Sequence, residues 1–270
     1  MTVAAFLPPR LLRHVQFILG REHPLVAESW DGLEAMIRAK PVRVAIVDPS
    51  VDEATGTERI QEILVDYPSI QVIAYVTVTA SSFRAIAELS RAGLKHVMMY
   101  SVDDSPERFL AMLDMVRASP LTVQLLADFR PSLNKLPVSL RRAVEDMFAE
   151  PHMYGNAADI AAKANIPLVR LYRALRGSGV ASPKKVLVAA KLLRAYGDLG
   201  DPGQSIRRVS RRLGWKYTRV LFDHTFEVFG LSPARVREQM TDDEVVARLV
   251  EWMTTGNETE DSESVSRATG

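Results

Sequence analysis

The sequence predicts an α/β amino-terminal domain built on a doubly wound, five-stranded parallel sheet, followed by an all-α carboxyl-terminal domain. Three observations predict it. Short apolar runs alternate with amphipathic segments over the first 120 residues. After about residue 137 almost every apolar position recurs at helical spacing. The charge also changes along the chain: residues 1–136 carry 14 Lys and Arg against 16 Asp and Glu, residues 137–240 carry 18 against 9, and residues 241–270 carry 2 against 8.

The elements follow in order. VAAFL, from Val3, reads as a strand, RLLRHVQFILGREH as a helix and LVAESW as a second strand. DGLEAMIRAK is a helix with Leu33, Met36 and Ile37 on one side, and VRVAIVD, ending at Asp48, is a continuous apolar strand of the kind buried on both faces. A helix over 57–65, the strand IQVIAYVTV, the helix SSFRAIAELSRAG stopped by Gly93, the strand HVMMY and a helix over 106–117 complete five βα units. Pro120, Pro131 and Pro137 mark a connection over 121–136, in which LTVQLLADF fits either a helix or a strand.

In SLRRAVEDMFAE, Leu140, Val144 and Phe148 share a face and Ser139 is the expected N-cap. NAADIAAKA, PLVRLYRALRGSG, KKVLVAAKLLRAYGDLG, SIRRVSRRLG, YTRVLFDHTFEVFG, PARVREQM and DDEVVARLVEWM continue as helices. TTGNETEDSESVSRATG is polar enough to be a disordered tail. It either interacts with the basic region or, as the simpler expectation, solubilises the chain.

Composition narrows the function. With 270 residues, 47% hydrophobic and 25% charged, the chain has room for two packed cores. No run is long and apolar enough to span a bilayer, and MTVAAFLPPR lacks the basic-then-apolar order of a signal peptide, so a cytoplasmic protein without membrane partners is expected. The absence of cysteine removes disulfides, thiol nucleophiles and Cys-ligated zinc, and the five histidines form no H-x-x-x-H pair. No nucleophile elbow, P-loop or dinucleotide fingerprint is present. Neither an enzyme, a cofactor nor a metal is expected.

The basic middle of the chain is the candidate for binding a polyanion. Between Asn156 and Gly177 a short helix, a turn around residues 165–167 and a second helix bearing Arg170, Arg173 and Arg176 form a helix-turn-helix pattern. It recurs about fifty residues later, where Ile206, Val209 and Leu213 face inward, Gly214 supplies the turn and a helix over 217–229 follows. Two such units joined by one long helix could set two reading helices about one turn of DNA apart, near 34 Å.

Over residues 137–240 the chain resembles the AraC/XylS family of transcription regulators. Gly214-Trp215, Phe229-Gly230, Ser232-Pro233 and Arg237 stand where that family's second unit has its turn, its aromatic-glycine pair, its Ser/Thr-Pro and its closing arginine; Ile160-Ala161 and GSGVASPKKVLVAAKLL match the first unit. Leu221 and Thr225 depart from two usually buried aromatics, with Phe222 and Phe226 one place later, and Val236 replaces another aromatic. A rotated second reading helix is one consequence to look for.

The resemblance implies base contacts from Val169, Tyr172 and Arg173 in the first unit and from Thr218, Arg219, Phe222 and Asp223 in the second. Arg173 and Arg219 suit guanine, and Val169 and Thr218 a thymine methyl. Tyr172 and Phe222 fit a core position equally well. Arg170, Arg176, Arg207, Arg208, Arg211, Arg212 and Lys216, with Tyr217 beside it, are expected as phosphate contacts or a solvated face.

The five βα units resemble a response-regulator receiver, with Asp48 in the phosphoacceptor position. That family's acidic pair after the first strand is replaced by Pro8-Pro9, its lysine after the fifth by Tyr100-Ser101, and its switch hydroxyl falls on Thr79 or Thr77. The expected role of Asp48 is therefore to cap the next turn through Ser50, with phosphorylation the alternative. What remains for such a degenerate receiver is homodimerisation, which would pair two DNA half-sites, or binding of RNA polymerase or another regulator. Phe83, Ile86, Ala87 and Leu89 form a face that is either core or a dimer contact. A protein-binding module that controls another regulator and touches DNA weakly is the remaining alternative.

Overall fold

Val3 to Phe6 are all buried, as are Val44 to Val47, so neither run has a solvent face. Strands of this kind belong inside a parallel sheet covered on both sides by helices. The computed structural model, which describes residues 2–20, 23–52 and 54–255, has that sheet. β1 (Val3–Phe6), α1 (Pro9–Leu19), β2 (Leu25–Val26), α2 (Trp30–Ala39), β3 (Val44–Val47), α3 (Gly56–Asp66), β4 (Gln71–Val76), α4 (Ala80–Arg91), β5 (His96–Met99) and α5 (Pro106–Arg117) follow in strict alternation. The strands are all parallel in the order β2-β1-β3-β4-β5, with Ala5 opposite Ile46 and Ile46 opposite Ile73.

The two-residue period of a strand divides the core in two. Ala4, Phe6, Ala45, Val47 and Ala74 pack with Trp30, Leu33, Ile37 and Ile60 on one face. Ala5, Val44, Ile46, Ile73 and Tyr75 pack with Leu11, Val15, Phe109 and Leu113 on the other. Strand order reverses between β1 and β3, which places a crevice at their carboxyl ends.

Two boundaries differ from expectation. The second strand shrinks to two residues because Ser29 accepts the Gly32 amide at 3.0 Å and starts α2 at Trp30. Ser139 is not an N-cap. The extended Pro137 holds that position, its carbonyl accepting the Arg141 amide at 2.9 Å, and Ser139 lies exposed inside the helix. The stretch expected as a connection is helical over most of its length, as α6 (Pro120–Asp128) and α7 (Arg130–Leu133), with Leu125, Phe129, Leu133 and Leu136 buried.

Helices continue as α8 (Val138–Ala149), α9 (Ala157–Lys163), α10 (Leu168–Gly177), α11 (Pro183–Leu199), α12 (Ile206–Arg212), α13 (Thr218–Phe229), α14 (Pro233–Gln239) and α15 (Asp242–Thr254). The chain falls into two compact units. Residues 120–196 and 216–255 form a helical unit, while residues 197–215, including α12, belong with residues 2–119 in the α/β unit.

Within the α/β unit that late segment is held by a buried polar group. Both Asp201 carboxylate oxygens accept from Ser69, one from its amide at 2.8 Å and one from its hydroxyl at 2.6 Å. The Gly203 amide donates to the Asp66 carbonyl at 3.0 Å, and Gln204 Nε2 to the Ile37 carbonyl at 3.3 Å. Arg212, expected on a solvated or phosphate-binding face, is instead buried beside Asp198 at 3.7 Å, with Nη2 near the Val42 carbonyl.

In the helical unit α15 is an integral member. Val245, Val246, Leu249 and Met253 are completely buried, and Thr241 and Glu244 form a reciprocal cap at its start. Of the expected polar tail, residues 254–270, Thr254 ends α15 and Thr255 is its C-cap, and residues 256–270 lie outside the described residues. Among the described residues no single helix is long and apolar enough to cross a membrane.

Candidate nucleic-acid interface

The first helix-turn-helix is assembled locally. Asn156 Oδ1 accepts the Ala158 amide at 2.7 Å, and Asp159 Oδ2 accepts the Asn156 and Gly155 amides at 3.0 and 2.7 Å, so the start of α9 is capped in both directions. The turn after α9 holds Asn165, which takes a left-handed φ of 53°, a conformation asparagine tolerates better than most residues. The Asn165 and Ile166 amides donate back to the Ala162 and Ala161 carbonyls at 3.0 Å, and Pro167, extended, opens α10. Ile160, Ala161 and Ala164 pack inward with Leu171 and Leu175, which fixes the roll of α10 about its axis.

That roll decides what α10 shows to solvent. Val169 is 61% exposed and Tyr172 37%, so Tyr172 is not a core residue; Arg170, Arg173 and Arg176 lie on the same open side. Among the described residues neither Arg170 nor Arg173 makes an ion pair. A guanidinium held only by water keeps its five donors available for a base edge or a phosphate.

The second pattern is built differently. In the α/β unit, Ser205 caps α12, Val209 and Leu213 are buried, and Arg207, Arg208 and Arg211 are exposed. Gly214 takes the expected positive φ of 77°. In the helical unit, α13 buries Leu221, Thr225, Val228 and Phe229, and the Thr225 hydroxyl closes onto the Leu221 carbonyl at 2.6 Å.

The inward positions of α13 are therefore kept by smaller side chains. Phe222 and Phe226 are left 39% and 66% exposed, and with Asp223, Glu227 and Ser232 they border a shallow groove. Val236, in place of an aromatic, is buried. Arg219 reaches Asp223 one turn on at 3.6 Å, both well exposed, so this pair contributes little to stability and competes only weakly with an outside partner. Tyr217 is 60% exposed with the Lys216 ammonium 5.3 Å from its ring centre, and Thr218 is half-buried.

At the carboxyl edge of the sheet, Asp48 is 1% exposed and its Oδ1 accepts the Ser50 amide at 2.8 Å, the turn-capping contact expected of it. Among the described residues its Oδ2 has no partner, and burial pushes the carboxyl above its ordinary pKa. Thr79 caps α4 by accepting the Ser82 amide at 3.0 Å. After β5, Tyr100 is followed by Ser101 at a φ of 60°; the Ser101 amide donates to Asp104, whose other oxygen accepts from Tyr75. His14 closes this cluster, with Nδ1 2.6 Å from the Tyr75 hydroxyl and 3.2 Å from Asp104. On α4, Leu89 is core, Ile86 is half-buried against it, and Phe83 is 51% exposed.

No family model, curated protein or solved structure matches the chain. What the protein can recognise has to be read from its own surface. Sequence reasoning placed α9, its turn and the outward arginines of α10 together, and it missed the group of Ser69, Asp198, Asp201 and Arg212. Nothing in GDLGDPG distinguishes a buried carboxylate from one in a solvated turn.

Proposed function

We propose that the chain is a non-enzymatic, sequence-specific DNA-binding transcription regulator of the cytoplasm, in which α10 is the principal reading helix. One observation carries the reading: α10 is presented by a capped helix-turn-helix with Arg170 and Arg173 unpaired among the described residues and Val169 and Tyr172 beside them on the exposed side. A helix of this width enters a major groove, where arginine meets guanine O6 and N7, and an aliphatic side chain meets a thymine methyl. Arg176 at the end of α10 supplies a phosphate contact.

α13 is the second reader, through Thr218 and Arg219, with Lys216 and Tyr217 on the backbone and Phe222 and Asp223 at the base edge. This assignment follows the resemblance to AraC/XylS regulators. The α/β unit serves homodimerisation or the binding of RNA polymerase or another regulator, and the exposed Phe83 is its first candidate contact.

The test is selection from a random duplex library by the purified chain, followed by titration of the enriched site against salt. Enrichment of a defined motif, with Arg173→Ala relaxing one position of it at a cost of about 1–3 kcal/mol, supports base reading by α10. Salt-dependent binding without enrichment would leave a nonspecific polyanion binder and sink the proposal.

A further inference from the structure

Three arginines from two helices of the helical unit converge on one concavity. Arg130 of α7 and Arg141 and Arg142 of α8 line a space of about 470 Å³ together with Val123 and Leu126 of α6. Glu145 borders the same space at the i+4 position from Arg141 and i+3 from Arg142, a spacing that ordinarily invites an ion pair. Among the described residues none forms, and none of the three guanidinium groups has a partner.

Like charges crowded into a hollow repel one another more than on a convex face, because less water separates and screens them. The aliphatic lining is unusual in the other direction: Val123 is 58% exposed, while Leu133 is buried. A hollow lined by both unpaired positive charge and exposed aliphatic carbon, with a volume within the range of small-molecule sites, is complementary to an amphiphilic anion.

We infer that the hollow between α6, α7 and α8 is a binding site for a small organic anion, one carrying a carboxylate or phosphate group on an apolar body. Arg141 and Arg142 hold the charged group, Arg130 closes over it, and Val123 and Leu126 receive the apolar part. The site is separate from α10 and does not depend on the DNA-binding reading.

Calorimetric titration of the full chain with octyl phosphate, below its micelle concentration, tests this, with octanol and inorganic phosphate as the two half-ligands. Saturable one-to-one binding is expected for octyl phosphate, about tenfold or more tighter than for inorganic phosphate, with none for octanol. Arg141→Ala with Arg142→Ala should weaken octyl phosphate about tenfold or more. Val123→Ser should weaken octyl phosphate while leaving inorganic phosphate unchanged.

Circular dichroism checks that each variant is folded. If the alanine pair does not fold, Arg141→Lys with Arg142→Lys, which keeps the charge but loses the guanidinium fork, should still weaken binding. The inference is overturned if octyl phosphate does not saturate, if octanol binds equally well, or if the arginine variants lose only duplex DNA binding while octyl phosphate affinity stays as in the wild type.

Discussion

Replacing Asp201 by asparagine should make the protein more stable at neutral pH, although the carboxylate accepts two hydrogen bonds and lies near Arg212. Asp201 is completely buried, and its pKa is raised to about 6 from 3.8. Burial is the largest cause, opposed by the Ser69 hydrogen bonds, with the Asp198 charge adding to the rise and Arg212 opposing it. The folded state therefore holds the proton more tightly than the unfolded chain does.

Between about pH 4 and pH 6 the folded form binds more protons, so stability falls as pH rises through that window; below it the cost is absent, and above it the cost is complete. At about 1.4 kcal/mol per pH unit, the gap from 3.8 to about 6 corresponds to about 3 kcal/mol. The asparagine amide would stand in for the neutral acid, keeping an acceptor for the Ser69 amide. Urea unfolding at pH 4.5 and pH 7.5, with hydrogen exchange at the Ser69 amide as a local probe, reads the effect. The variant should gain up to about 3 kcal/mol at pH 7.5, gain far less at pH 4.5 and lose the slope between them. A variant destabilised at both pH values would show that the ionised carboxylate is needed beside Arg212 and would refute the reasoning.

Other outcomes follow from single contacts. Gly203→Ala places a methyl group 2.5 Å from the Tyr67 ring, whose hydroxyl is held by Arg38 and Glu34, so thermal unfolding should show a loss of about 1–3 kcal/mol. Leu249→Ala empties a completely buried position of α15 and should cost about 2–5 kcal/mol; a loss near zero would mean that α15 is not part of the helical unit's core. Asp48→Asn keeps the acceptor for Ser50 and removes a buried charge whose second oxygen is unpartnered among the described residues. It should be neutral or stabilising at pH 7, and acetyl phosphate should label the wild type no more than the variant.

The sheet was legible because a doubly buried strand such as VAIV admits few other settings, and the helix-turn-helix of α9 and α10 because its caps, turn residue and apolar spacing are all local. The Asp48 to Ser50 contact was legible for the same reason. Three features were not. Pro137 displaced Ser139 as the cap of α8 because the competing signals stand two residues apart. On α13 the aromatic residues beside Leu221 and Thr225 point outward, a one-residue phase that apolar pattern alone leaves open. The burial of Arg212 depends on the Val42 carbonyl 170 positions earlier, and no sequence window joins them.

The assignment of residues 197–215 to the α/β unit means that this unit is encoded in two pieces with most of another between them. During synthesis the sheet and its five covering helices emerge first, yet Ser69, Asp66, Val42 and Ile37 wait for partners until Trp215 has left the ribosome. Such long-range closure slows folding and prolongs the exposure of unfinished surfaces. A fragment ending at Ser119 would lack its last helix and the buried Asp198 and Asp201, and one beginning at Pro120 would carry α12 with nothing to bury Arg212. Boundaries drawn where the sheet ends would cut through a finished piece of protein.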